Sequence, residues 1–139
     1  GAEKAAPAPG VIECIRGASA IVVCPSNPVT SIGPILAVPG IRNALREVEA
    51  PILAVSPIIG GAALSGPAHK LMSAIGMEPS AHGVAQAYAD FIDLMIIAED
   101  DRALKARIEG MSIRAATTDI RMESLLDERR LAREVLALI

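Results

Sequence analysis

Residues 20–34 read Ala20-Ile21-Val22-Val23-Cys24, then Pro25-Ser26-Asn27-Pro28-Val29-Thr30-Ser31-Ile32-Gly33-Pro34: an apolar run that empties into small hydroxyl and amide side chains. Consecutive apolar residues bounded by turn formers describe a strand buried on both faces. The loop after it gathers Ser26, Asn27, Thr30 and Ser31 just ahead of a helix start, where backbone N–H groups and the helix dipole favour an anion. Ser, Asn, Thr and Pro are also ordinary residues of turns and caps. Four hydrogen-bonding side chains between Ser26 and Ser31 exceed the needs of one cap, and the excess points to phosphate.

Working outward, the same alternation repeats. A short helix is expected from Pro9-Gly10 through Ala18, and Ile32 to Glu47 reads as helical with a break at Pro39-Gly40. Pro51 to Val55 is a second continuous apolar strand, ending in the loop Ser56-Pro57-Ile58-Ile59-Gly60-Gly61. Gly66-Pro67 starts a helix through Ile75, and Ser80 is placed to cap another that reaches Asp90. Leu94 to Ala98 is a third strand, Asp100 to Glu109 a short helix, Met111 to Ala116 a fourth strand and Met122 to Leu138 a charged terminal helix.

Strand, crossover helix and strand in succession imply an α/β fold, a Rossmann-like parallel sheet with helices on both faces. Ligands of such sheets lie beyond the carboxyl ends of the strands. Those ends are Pro25 to Ser31, Ser56 to Gly61, Glu99 to Asp101 and Thr117 to Asp119. Ser56, Gly60 and Gly61 form a second candidate phosphate-binding group, the glycines allowing backbone to approach a ligand. The loop has neither P-loop nor dinucleotide-fingerprint spacing. Thr118 and Asp119 are candidates for orienting a ligand hydroxyl or capping the last helix.

Composition narrows the function. The chain has 139 residues, 52% of them apolar, and a mean hydropathy of +0.44. That surplus of apolar surface suits an incomplete domain that meets another segment or subunit, with homo-oligomerisation expected. Residues 1–10, small and proline-rich, read as a loop or cut end, and 11–139 as the structured part. A net charge of −3 with no basic block gives no footprint for nucleic acid. The prolines and polar pair in the uncharged run argue against a membrane span, and the first residues lack the pattern of a signal peptide. Cys14 and Cys24 are expected as reduced core residues of a cytoplasmic protein. His69 and His82 have no partner at metal spacing and read as surface or packing residues. Glu99-Asp100-Asp101 suits the first turn of a helix better than a metal site, so no metal ligand is assigned. No Ser-His-Asp order supports covalent catalysis.

The stretch from Cys24 to Arg42 resembles the signature of the 2-phospho-L-lactate transferase family. Ala54-Val55-Ser56-Pro57-Ile58-Ile59-Gly60-Gly61, Gly66-Pro67-Ala68, Gly83-Val84-Ala85 and Thr118-Asp119 continue the resemblance in order. It implies transfer of a 2-phospho-L-lactyl or phosphoenolpyruvyl group from a guanosine diphosphate-linked donor to the deazaflavin alcohol Fo, releasing GMP, in the formation of coenzyme F-420. Family members are longer and begin with a Gly-rich turn followed by aspartates that hold Mg²⁺. The resemblance therefore covers their C-terminal half, and Mg²⁺ ligands are expected in the other half. Ser65 stands where the family commonly carries Lys. The chain alone is expected to be inactive. A related branch, gluconeogenesis-factor-like proteins that bind UDP-sugars, shares a Ser-Asn-Pro loop and supplies the alternative: a nucleotide-sugar-binding regulatory module. With one Tyr and one Phe, little aromatic surface is available to stack a deazaflavin ring.

Overall fold

The strands Ile52–Val55 (β2) and Leu94–Ala98 (β5) have every side chain buried, as a continuous apolar run requires when a parallel strand is covered on both faces. They form the middle of a four-stranded parallel sheet, flanked by Ile21–Val23 (β1) on one side and Arg114–Thr118 (β6) on the other. Val22 faces Leu53, Leu53 faces Leu94, and Leu94 faces Arg114 across the ladder. The structure, a computed structural model, describes residues 1–63 and 66–139. A two-stranded antiparallel hairpin, Ile58–Ile59 (β3) with Ala62–Ala63 (β4), follows β2 where a simple loop was expected.

Helices fill the crossovers. Val11–Arg16 (α1) precedes β1, while Gly33–Ala37 (α2) and Ile41–Glu47 (α3) connect it to β2. Ala68–Ala74 (α4) and Ala81–Tyr88 (α5) lie between the hairpin and β5, and Lys105–Glu109 (α6) lies before β6. Leu125–Leu136 (α7) closes the chain. One sheet face carries Ile52, Ala54, Met95 and Ile97 and packs on Leu45, Met72, Val84 and Ile108 of the crossover helices. The other carries Leu53, Val55, Leu94 and Ile96 and packs on Leu131 and Val135 of α7. Each such Leu or Ile is worth about 1.5–3 kcal/mol on burial, so both cores contribute.

Three departures from the sequence reading have identifiable causes. The fourth strand begins at Arg114 rather than Met111, because Ser112 takes a left-handed conformation (φ 63°) after the α6 terminus and spends residues 110–113 on a turn. Thr117 and Thr118 thus belong to the strand itself. The expected helix from Asp100 is a 3₁₀ segment, Glu99–Leu104, that passes into α6. Cys14 and Cys24, expected in the core, are both exposed: α1 buries no residue completely, and Cys24 lies just past the edge strand.

That edge strand is incompletely covered. Val22 is 37% exposed on the α7 side of the sheet, although its neighbour Leu53 is 1% exposed. An apolar groove of about 280 Å³ opens there between Val22, Cys24 and Val55 on the sheet and Leu131, Val135 and Leu136 on α7.

Candidate functional site

The chain leaves β1 through Cys24 and Pro25 and winds at once into a π-type turn, Pro28–Ile32, which runs on into α2. Asn27 caps this turn. Its side-chain oxygen accepts from the N–H groups of Val29 (2.9 Å) and Thr30 (3.2 Å), and its carbonyl accepts from those of Ser31 and Ile32 (3.0 Å each). A side-chain oxygen that meets the first free N–H groups is what an N-cap supplies. The consequence differs from the sequence expectation: the backbone N–H groups of Val29 to Ile32 are already satisfied and are not free for an anion. What the loop offers a ligand is its side chains, the hydroxyls of Ser26, Thr30 and Ser31 and the amide nitrogen of Asn27.

Those four side chains stand on one wall of a cavity of about 290 Å³ at the carboxyl end of the sheet. Pro25, Pro57, Gly66, Pro67 and Ala68 line the rest of it. Among the described residues no charged group lines it, so these would hold an anion by neutral dipoles alone. Hydrogen bonds to a charged group are worth about 1.5–3 kcal/mol each, enough for three or four donors to hold a phosphate.

Ser56, Gly60 and Gly61 are placed differently. Ser56 is fully buried, its Oγ accepting from Ile58 N (3.0 Å) and donating to Ile58 O (2.9 Å). Such a hydroxyl has no hydrogen left for a ligand. Gly60, with φ of 56°, donates its N–H to both carboxylate oxygens of Asp101 at 3.1 Å. Neither glycine lines the cavity that Ser26 and Asn27 share. Thr118 Oγ1 donates to Glu134 of α7, while Asp119 Oδ1 accepts from Arg121 N (3.1 Å) and its carbonyl from Arg130 (2.6 Å). These contacts tie the strand end to the last helix. Ser65 lies outside the described residues.

Two residues not assigned to the site from the sequence occupy this end of the sheet. Asp101 is 7% exposed, and burial raises its carboxyl above the ordinary range against the lowering effect of the Gly60 N–H. In the sequence it stood at the third strand end and in an acidic run that reads as the first turn of a helix. Arg121 lines a second cavity of about 470 Å³ with Pro25, Ile59, Ala63 and Met122, and pairs with Asp100 at 2.5 Å. It follows Thr118-Asp119 closely enough that the strand-end rule could have included it.

The remaining polar clusters are structural. Glu78 accepts from Ser80 Oγ (2.7 Å), from the His82 ring (2.9 Å) and from Arg107 (3.0 Å) at the start of α5. The Ser80 hydroxyl, followed by His82 and Arg107, holds the Glu78 carboxyl down at about 2. The two aromatic rings, Tyr88 and Phe91, are buried against one another beside Arg42. Tyr88 is the last residue of α5 and Phe91 follows that helix.

A parallel sheet with side-chain donors gathered beyond its first strand defines an α/β protein of the Rossmann-like class, whose ligands lie beyond the carboxyl ends of the strands. The chain matches the 2-phospho-L-lactate transferase CofD family over residues 1–135 and belongs to that family. It is 46% identical over 130 residues to the 2-phospho-L-lactate transferase of Methanothermobacter thermautotrophicus, covering 94% of this chain and 42% of that protein. It is 44% identical over 139 residues to the phosphoenolpyruvate transferase of Kitasatospora aureofaciens, covering 99% of this chain and 43% of that one. A crystal structure of a Bacillus halodurans protein superposes with a TM-score of 0.68 at 17% identity, over 96% of this chain and 48% of the other. A second crystal structure of the same protein, described as a member of the UPF0052 family, gives 0.63. These two show the fold. The chain spans less than half the length of the curated relatives it matches.

Proposed function

We propose that this chain supplies the donor-phosphate pocket of a transferase that moves a 2-phospho-L-lactyl or phosphoenolpyruvyl group from a guanosine diphosphate-linked donor to the deazaflavin alcohol Fo, in the formation of coenzyme F-420. The observation that carries the reading is the grouping of Ser26, Asn27, Thr30 and Ser31 on one cavity wall, in a chain of the CofD family. In the transfer an Fo hydroxyl oxygen forms a bond to the phosphorus that bears the organic acid. The bridging P–O bond breaks, GMP leaves with its electron pair, and the hydroxyl proton is released. Such chemistry depends on positioning and charge neutralisation more than on a covalent nucleophile. The role assigned to this chain is to hold and orient the diphosphate.

Mg²⁺ is the cofactor the family resemblance implies, and the donor set here does not fit it. Glu99 pairs with Arg102, Asp100 with Arg121, and Asp101 with the Gly60 N–H, so the acidic run points at three different partners. Among the described residues no three carboxylate, imidazole or thiol groups converge at ligand spacing. No step is derived through the metal, whose ligands are assigned to the part of the relatives that this chain does not span, or to another subunit. A cytoplasmic setting belongs to the same reading; among the described residues no helix is long and apolar enough to cross a membrane.

Calorimetric titration of the chain with GDP, with a UDP-sugar and with Fo tests the reading. GDP binding that is lost when Ser26, Thr30 and Ser31 are replaced together by Ala is the expected result. UDP-sugar binding without GDP binding would instead support the regulatory nucleotide-sugar module.

A further inference from the structure

In chain order the hairpin β3–β4 lies between two segments that line the cavity of Ser26 and Asn27, while its own Ile59, Ala62 and Ala63 line the second cavity with Arg121. Pro57 precedes it, and Gly66, Pro67 and Ala68 come soon after it. A pair of short strands joined by left-handed Gly60 and Gly61 has little cohesion of its own. Two buried groups pin it. Ser56 fixes Ile58 through both its N–H and its carbonyl. Asp101, from the third strand end, takes the Gly60 N–H on both carboxylate oxygens.

We propose that Asp101 is a positioning residue for the ligand cavity: its buried carboxylate holds the turn of the hairpin, and through it the Pro57 and Gly66–Ala68 wall, at the spacing that admits a nucleotide diphosphate. Neither the acidic run as a helix-dipole feature nor a metal site accounts for a carboxylate aimed into the protein at a glycine N–H. Its neighbour Asp100 has a different partner, Arg121, which lines the second cavity. The 3₁₀ segment Glu99–Leu104 therefore braces two cavities at once. Burying a carboxylate is costly unless it is hydrogen-bonded, and the Gly60 N–H is the partner that offsets this cost. The charge acting on Asp101 is that of Asp100, which raises its carboxyl in the same direction as burial.

The ligand arm of the test rests on the function proposed above, whereas the amide arm does not. Wild type, Asp101→Asn and Asp101→Ala are compared by GDP calorimetry and by ¹H–¹⁵N spectra that report Gly60, Gly66 and Ala68. Asn keeps an oxygen acceptor for Gly60; Ala removes it. The Ala variant is expected to lose protection of the Gly60 amide, to shift Gly66 and Ala68, and to bind GDP about tenfold more weakly, while Asn stays within about threefold of wild type. If wild type binds no GDP, the proposed ligand is wrong, yet the Gly66 and Ala68 shifts still decide the bracing role. Should the Ala variant fail to fold, acidification decides. Gly60, Gly66 and Ala68 must then move with one common midpoint in wild type and stay still in Asp101→Asn. A Gly60 shift that leaves Gly66 and Ala68 unmoved, or GDP affinity unchanged in Asp101→Ala, overturns the proposal.

Discussion

Asn27 has an observed role as a cap and a proposed role toward the ligand, and a single substitution can separate them. As a cap its side-chain oxygen serves Val29 and Thr30, and its amide nitrogen is the end left for the cavity. Asn27→Ala removes both, so it is expected to lower stability by about 1 kcal/mol, the usual value of an N-cap, and to weaken GDP binding as well. Asn27→Asp keeps a capping oxygen but sets a carboxylate on the cavity wall. Its denaturation free energy should stay within about 0.5 kcal/mol of wild type, while calorimetry should show GDP affinity reduced about tenfold or more, or roughly 1.4 kcal/mol. Equal GDP affinity in Asn27→Asp and wild type would make the residue a cap and nothing else. Thr30 and Ser31 show how far the sequence could be read at this scale. Their presence on one wall follows from the spacing of the loop, whereas the consumption of the backbone N–H groups by Asn27 follows from a π-type turn that no composition signals.

Among the elements, α5 depends on what happens one turn before it. Gly83 sits so close to the chain entering the helix that a Cβ there would lie 2.0 Å from the Glu78 carbonyl oxygen. Gly83→Ala must displace either the helix or residues 78–80, and overpacking of this kind costs about 1–3 kcal/mol or more, readable as a fall in the urea midpoint. The same junction carries a pH signature. The Glu78 carboxyl, ordinarily near 4.5, is held at about 2 in the folded chain, so its contribution is fully present above its unfolded value and fades as acid carries the folded group through its own. Stability curves of wild type and Glu78→Gln should run parallel above about pH 4.5 and converge toward about pH 2; a constant gap across that window would contradict the assignment. Elements were legible where the period was strong. Leu94–Ala98 falls on the residues expected, and Ser80 caps α5 through Gly83 N at 3.1 Å. The hairpin was not legible, because Ile58–Ile59 and Ala62–Ala63 are two-residue strands, too short to show alternation. The fourth strand was misplaced because the left-handed position of the turn falls on Ser112, two residues beyond the Gly110 that marks where it begins.

For the whole molecule, the sheet has one face closed by the crossover helices and another on which α7 leaves Val22 and its groove open. The curated relatives extend well beyond the span matched here, and exposed apolar side chains occur both at this groove and away from it, at Ile35, Ile75, Leu125 and Leu126. A matching shortfall exists in charge. Phosphoryl transfer spreads negative charge over the phosphate oxygens in its transition state and needs it neutralised, yet the cavity between Ser26 and Pro67 is lined by neutral groups. Arg121, which lines the neighbouring cavity, already has Asp100 at 2.5 Å and Asp119 at 3.7 Å. Holding a diphosphate and activating it are therefore separable, and the function proposed above assigns only the first to this chain. Incubated with Fo, the guanosine diphosphate-linked donor and Mg²⁺, it should bind the donor nucleotide by calorimetry while chromatography shows no GMP formed above a protein-free control. GMP release by the 139-residue chain at a rate matching one of its longer relatives would mean that these residues neutralise the transition state in a way their neutral side chains do not suggest.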